Sequence, residues 1–123
     1  MSGQTPTIPV LETFLRLTSL REKAISTNMA NVDTPGYHTR DIDFQAELSR
    51  AMYTVSDGEN GGTMRLDPVA REVPGLMERA DGNNVDIDRE GLVMSQVQLQ
   101  YQLGIQLIRD QFHSILSAIK DGN

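Results

Sequence analysis

The chain has 123 residues, 38% of them hydrophobic, with no Cys, no Trp and a net charge of −6. That is room for one small domain with few large anchors, at the apolar-poor end of the globular range. It excludes disulfide frameworks, thiolate metal sites and cysteine nucleophiles, and the acidic balance argues against a general nucleic-acid binder.

In chain order, Met1–Pro9 is a Thr/Pro/Gln-rich segment without a basic or an apolar stretch, and reads as a flexible tail rather than a Sec-type leader. A first helix is expected over 10–32. Apolar residues at 10, 11, 14, 15, 17, 20, 24, 25 and 29 make a broad amphipathic stripe. Thr7 is its candidate cap, with Pro9 in the first turn.

The stop signal is Asn28-Met29-Ala30-Asn31-Val32-Asp33-Thr34-Pro35-Gly36-Tyr37. Asn31 is suited to end the helix in the αL conformation, and Pro35-Gly36 to occupy the centre of a type II turn. Tyr37 would then project an aromatic ring with a polar tip from a fixed corner. Asp41–Tyr53 reads as a short helix, with Ile42, Phe44, Leu48 and Met52 on one side. Asp41 and Asp43 are expected as its N-cap and first-turn charge, not as an acid–base pair.

Residues 56–84 carry turn dipeptides (Asp57-Gly58, Gly61-Gly62, Asp67-Pro68, Pro74-Gly75 and Asp81-Gly82) and read as an extended arm or a linker. The acidic charge is concentrated here: residues 41–90 hold twelve acidic and five basic groups, whereas 91–123 hold two of each.

A second helix is expected over 86–121, with Asp86, Asp88 and Glu90 supplying favourable charge at its start and Lys120 near its end. Ile87, Met94, Tyr101, Ile108 and Ile115 recur every seven residues, with Phe112 four positions after Ile108, as in a coiled-coil seam. Val97, Gly104 and Ala118 lie three positions after seam members. Between Gly91 and Ile119 the only charges are Arg109 and Asp110, and Leu92, Leu99, Leu103, Leu107 and Leu116 spread apolar surface beyond one face. Such a helix needs burial on several sides, which neighbouring copies or partner subunits would supply. Gly91 and Gly104 each cost up to about 1 kcal/mol of helix propensity. They point either to close helix approach or to a weaker helix in the free subunit.

Catalytic and metal-binding patterns are not found. His38 and His113 are far apart without metal-ligand spacing, and Asp81, Asp86 and Asp88 with Asn83 and Asn84 lack the order of a calcium loop. No nucleotide loop or nucleophile elbow occurs. The expectation is a non-enzyme with no cofactor, no metal, no nucleic acid, no small-molecule substrate and no transmembrane segment.

The stretch Asn28, Ala30, Asn31, Thr34, Pro35, Gly36 and Tyr37 resembles the signature of the bacterial flagellar rod and hook proteins. Asp41-Ile42-Asp43-Phe44, the small size and Gly82-Asn83-Asn84-Val85-Asp86-Ile87-Asp88 are similar to proximal rod members of that family. The resemblance covers roughly residues 10–50 and 80–120. It implies a mainly α subunit, a single rod-type domain over 1–123. Its N- and C-terminal helices would pair as a coiled coil, joined over 33–85 by an elbow, a short helix and an extended arm.

It further implies a structural role in the periplasm-spanning rod of the basal body, stacking helically into the drive shaft around an export channel. Its partners would be copies of itself, the rod proteins FlgC, FlgF and FlgG, FliE and the flagellar export gate. Delivery would be by the flagellar type III apparatus without a cleaved signal peptide. Asn28 to Tyr37, with Asp41, Asp43 and Phe44, would form the assembly motif, and Ile87, Met94, Tyr101, Ile108, Phe112 and Ile115 the helix seam. Two other readings are another rod protein such as FlgC, or a small helical secretion adaptor or chaperone. The latter explains the heptads but not the Thr-Pro-Gly-Tyr elbow.

Overall fold

A computed structural model describes residues 8–57 and 68–122. What the sequence suggests for residues 1–7, including the cap at Thr7, and for Gly61-Gly62 lies outside the described residues. The elements in order are α1 (Ile8–Ala30), β1 (Arg40–Asp41), α2 (Phe44–Asp57), β2 (Arg71–Glu72) and α3 (Ile87–Asp121). The fold is mainly α, and its frame is the antiparallel pairing of the two long end helices.

That pairing has a clear polarity. Asn28 of α1 meets Glu90 of α3, Ile25 packs on Val93 and Val97, and Phe14 and Leu15 lie against Gly104. Of the buried α1 positions, Leu11, Thr18, Ile25 and Asn28, with the half-buried Phe14 and Arg21, follow a spacing of three and four along one face, and Thr13 and Leu17 are buried beside it. The buried hydroxyls of Thr13 and Thr18 donate to the Pro9 and Phe14 carbonyls one turn back, so neither is stranded.

Gly104 sets the closeness of the pair. A β-carbon there would lie 2.6 Å from Leu15 Cδ2 and 2.9 Å from Phe14 Cδ1. Close helix approach, not weakness alone, is therefore why the seam tolerates a glycine. Phe14 also meets Phe44 edge to face at 5.4 Å, which ties α2 to the same face of α1. At Gly91 the same β-carbon would meet nothing within 4 Å, and no packing reason for that glycine is present.

α2 is capped by Asp43, whose Oδ1 accepts from the Ala46 N–H at 3.2 Å. β1 and β2 pair antiparallel, Arg40 opposite Glu72 and Asp41 opposite Arg71. The Val73 N–H donates to the Thr39 carbonyl at 3.0 Å and extends the short ladder. The later arm is thus folded back on the elbow, turning at Gly75 (φ 83°) and Gly82 (φ 86°). The first eight or so residues of α3 complete the joint, and Asp86 caps the helix by accepting from the Asp88 and Arg89 N–H groups.

Candidate assembly site

The elbow begins with Asn28, which is fully buried on the last turn of α1. Its amide has two donor hydrogens and an oxygen with two lone pairs, and all four are used. Nδ2 donates to the Arg40 carbonyl and to Glu90 Oε1, each at 2.7 Å. Oδ1 accepts from the Tyr37 hydroxyl at 2.9 Å and from the Arg40 N–H at 3.0 Å. One side chain therefore joins the helix end, the turn, β1 and the start of α3.

Tyr37 does not project outward as expected. Its ring folds back over the turn so that its hydroxyl can reach Asn28, and burial raises the phenol above its ordinary value, which keeps it a donor. Asn31 also differs from expectation: among the described residues no non-glycine has positive φ, so it is not an αL cap. Its backbone N–H stays on the helix, and its side chain donates to the Thr27 carbonyl at 2.8 Å while accepting from Thr34 Oγ1 at 3.0 Å. The Thr34-Pro35-Gly36-Tyr37 turn forms as read, with Gly36 at φ 75° and the Tyr37 N–H 3.2 Å from the Thr34 carbonyl.

The second motif closes on the first. Asn83, fully buried, donates through Nδ2 to the Asn31 and Thr34 carbonyls at 2.8 Å each, and its Oδ1 accepts from the Val85 N–H. Asn84 Oδ1 accepts from the Thr39 N–H at 2.6 Å. Gly36 donates its N–H to the Asp81 carbonyl at 2.9 Å, and a β-carbon on Gly82 would lie 3.3 Å from the Gly36 Cα. Two glycine turns thus touch backbone to backbone, which side chains would prevent. Arg79 bridges the Val85 and Val32 carbonyls through its two guanidinium nitrogens. The carbonyls just past the helix exit, at Asn31, Val32 and Thr34, are thus each paired.

Below Asn28 lies a chain of charges. Arg21 donates to Asp41 Oδ1 and Oδ2 at 3.0 and 3.1 Å, and Arg89 donates to Asp41 Oδ2 at 3.0 Å and to Glu90 Oε2 at 2.7 Å. Asp41 is therefore not part of the α2 cap. It is the carboxylate that holds an arginine from each long helix. Burial opposes its ionisation, but Arg21, the Ile42 N–H and Arg89 outweigh burial and hold its carboxyl below the usual range. Arg89 is likewise kept charged, since Glu90 and Asp41 outweigh the desolvation that would lower it. Glu90, read from sequence as a helix-dipole charge, is fully buried and belongs to this network instead.

The remaining expected positions are distributed differently. Ala30 ends α1 at the surface, and Asp43 and Phe44 start α2. Met94 packs against the Ile25–Val93–Val97 cluster and Ile108 is half-buried. Ile87, Tyr101, Phe112 and Ile115 are between 44% and 54% exposed. The contact within the chain runs along Glu90, Val93, Val97 and Gly104, one step around the helix from the isoleucine heptad. The sequence reading lacked Arg21, Arg79, Asn83, Asn84, Arg89 and Glu90 as site residues. For Asn83 and Asn84 a signal existed in the Gly82–Asp88 stretch.

Chemically, the site is a joint. Its carboxylates and arginines are already paired with one another, and among the described residues no cluster of three or more His, Asp or Glu is arranged to hold a metal ion. No described helix is long and apolar enough to cross a membrane.

No protein-family model matches the chain. It is similar to the flagellar basal body rod protein FlgB of Salmonella typhimurium (strain LT2), at 32% identity over 89% of each chain. The Escherichia coli K12 protein of the same description is 32% identical over 89% of each chain. That of Proteus mirabilis (strain HI4320) is 31% identical over 88% of this chain and 89% of its own.

Proposed function

The chain belongs to the flagellar basal body rod protein FlgB family and is a structural component of the basal body rod, and from that premise we propose how it is built into the rod. The supporting observation is the division of labour along α3. Its first third is locked to the elbow by satisfied polar groups. Beyond Gly104 it exposes Phe112, Ile115, Leu116 and Ile119.

The motif residues Asn28, Ala30, Asn31, Thr34, Pro35, Gly36, Tyr37, Asp41, Asp43 and Phe44 hold the angle between the helix pair and the arm. Ile87, Met94, Tyr101, Ile108, Phe112 and Ile115 form a flank of α3 that is covered by neighbouring subunits. Those neighbours are copies of this chain and the rod proteins FlgC, FlgF and FlgG, with FliE and the export gate at the inner end. The placement is proximal, delivery is through the flagellar type III apparatus, and no catalysis is involved. The adaptor or chaperone reading is not favoured by relatives that are rod proteins.

The test is a Phe112→Ser, Ile115→Ser double variant in cells lacking the native protein. The expected result is loss of motility and of the chain from sedimented basal bodies, with unchanged helicity of the purified chain. Normal motility would refute the flank assignment.

A further inference from the structure

His38, the residue after Tyr37, places Nδ1 3.0 Å from Glu72 Oε1 and Nε2 3.1 Å from Glu78 Oε2. A neutral imidazole has one donor and one acceptor nitrogen, so only the doubly protonated ring donates to both carboxylates. In the neutral ring one lone pair would face a carboxylate oxygen, and that contact has to open. The two glutamates flank the Pro74-Gly75 turn of the arm, so the ring pins both sides of that turn to the elbow. The backbone fastening on the Glu72 side is two residues of β-pairing and the Val73–Thr39 hydrogen bond, and beyond Glu78 the Gly36–Asp81 and Asn84–Tyr37 hydrogen bonds hold the arm independently of the ring. The charged groups facing the ring are Glu72 from β2 and Glu78 from the following loop, and Arg40 of β1 lies 4.0 Å from Glu72.

We propose that His38, Glu72 and Glu78 form a proton-operated clasp: the doubly protonated ring pins the arm to the elbow, and loss of one proton releases one carboxylate and loosens the arm. The clasp is a property of the free chain and does not rest on the assembly reading. The Glu72 hydrogen bond and the charges of both glutamates raise His38 above its ordinary value, outweighing desolvation. The contribution is therefore complete below about pH 6.5 and is lost as pH rises through the raised value. Glu72 is held below its ordinary value by the same hydrogen bond, so the clasp also opens when strong acid protonates it. All three side chains are partly exposed, which makes the response a local opening and not unfolding.

The test uses the full chain and amide hydrogen exchange at Val73, corrected for base catalysis, at about pH 5.5 and about pH 8. Protection should fall about twofold to fivefold at the higher pH, the range an exposed ion pair supplies, with no change at Ile25. In His38→Gln the protection at Val73 should be independent of pH. Equal protection in the native chain at both values, or a fall that persists in His38→Gln, would overturn the proposal. A second measurement needs no variant of the histidine: the His38 imidazole midpoint, followed by NMR, should drop in Glu72→Gln, Glu78→Gln, and an unmoved midpoint would also overturn it.

Discussion

Over Asp86–Val97 the last helix is held by polar groups that each have a partner, whereas over 112–121 the same helix exposes Phe112, Ile115, Leu116 and Ile119. The first region resembles the interior of a finished protein, with polar Glu90, Asn28 and Asn83 fully buried beside apolar Ile25 and Val97. The second carries the apolar surface that a finished protein buries. The difference separates two tasks. Directional hydrogen bonds define one angle for the elbow, because a misplaced donor or acceptor leaves a buried group unsatisfied. Apolar surface has no such geometry, and its gain is realised only when another surface covers it.

The strongest way to break this comparison is to remove the centre of the joint. Asn28→Ala strands the Arg40 N–H and carbonyl, the Tyr37 hydroxyl and one Glu90 oxygen, and should cost about 3–5 kcal/mol of stability. Urea unfolding of the free chain measures it. A loss under about 1 kcal/mol would mean that the joint is not what holds the subunit together.

The next effect is Asp41→Asn, expected to cost about 2 kcal/mol because two arginines lose a shared partly buried carboxylate. The same carboxyl predicts a pH dependence. Its folded-state value is depressed, so its contribution is present above the ordinary carboxylate value of about 4 and is lost as pH falls through the depressed value. Unfolding curves in acid should show this slope in the native chain and a shallower one in Asp41→Asn.

Two identical substitutions sharpen the contrast along α3. Gly104→Ala gains helix propensity but forces the Leu15 and Phe14 side chains to shift, for a net loss of about 1 kcal/mol. Gly91→Ala meets open space and should stabilise by up to about 1 kcal/mol. Thermal melts of the pair, moving in opposite directions, test the close approach of α1 and α3. Smallest of all, Phe112→Ser should change free-chain stability by less than about 0.5 kcal/mol, since the residue is 54% exposed.

What was legible in the sequence was what is local. The Thr34–Tyr37 turn depends on one proline and one positive φ at the next residue, and both are written in four letters. The two end helices follow from periodicity in the same way. The partners of Asn28 were not legible, because Glu90 lies 62 positions away and a side-chain amide names no acceptor in advance. Glu90 looked like a surface charge for the same reason: beside the adjacent Arg89, its burial depends on the distant Asn28. Of the heptad pattern, Met94, Val97 and Gly104 lie in the contact with α1, whereas Ile87, Tyr101, Phe112 and Ile115 are about half exposed. Apolar residues cover more than one side of α3, and α1 settles against the side where Gly104 and the slim Val97 let the backbones come close.

If the joint is complete in the free chain and neighbours complete the far end of α3, protection from hydrogen exchange should differ along that helix. Native-state hydrogen exchange on the purified chain, read residue by residue along α3, tests it most directly. Strong protection is expected at Val93 and Val97 and little at residues 112–121, with the latter becoming protected only in assembled rods. Equal protection along the whole of α3 in the free monomer would contradict it.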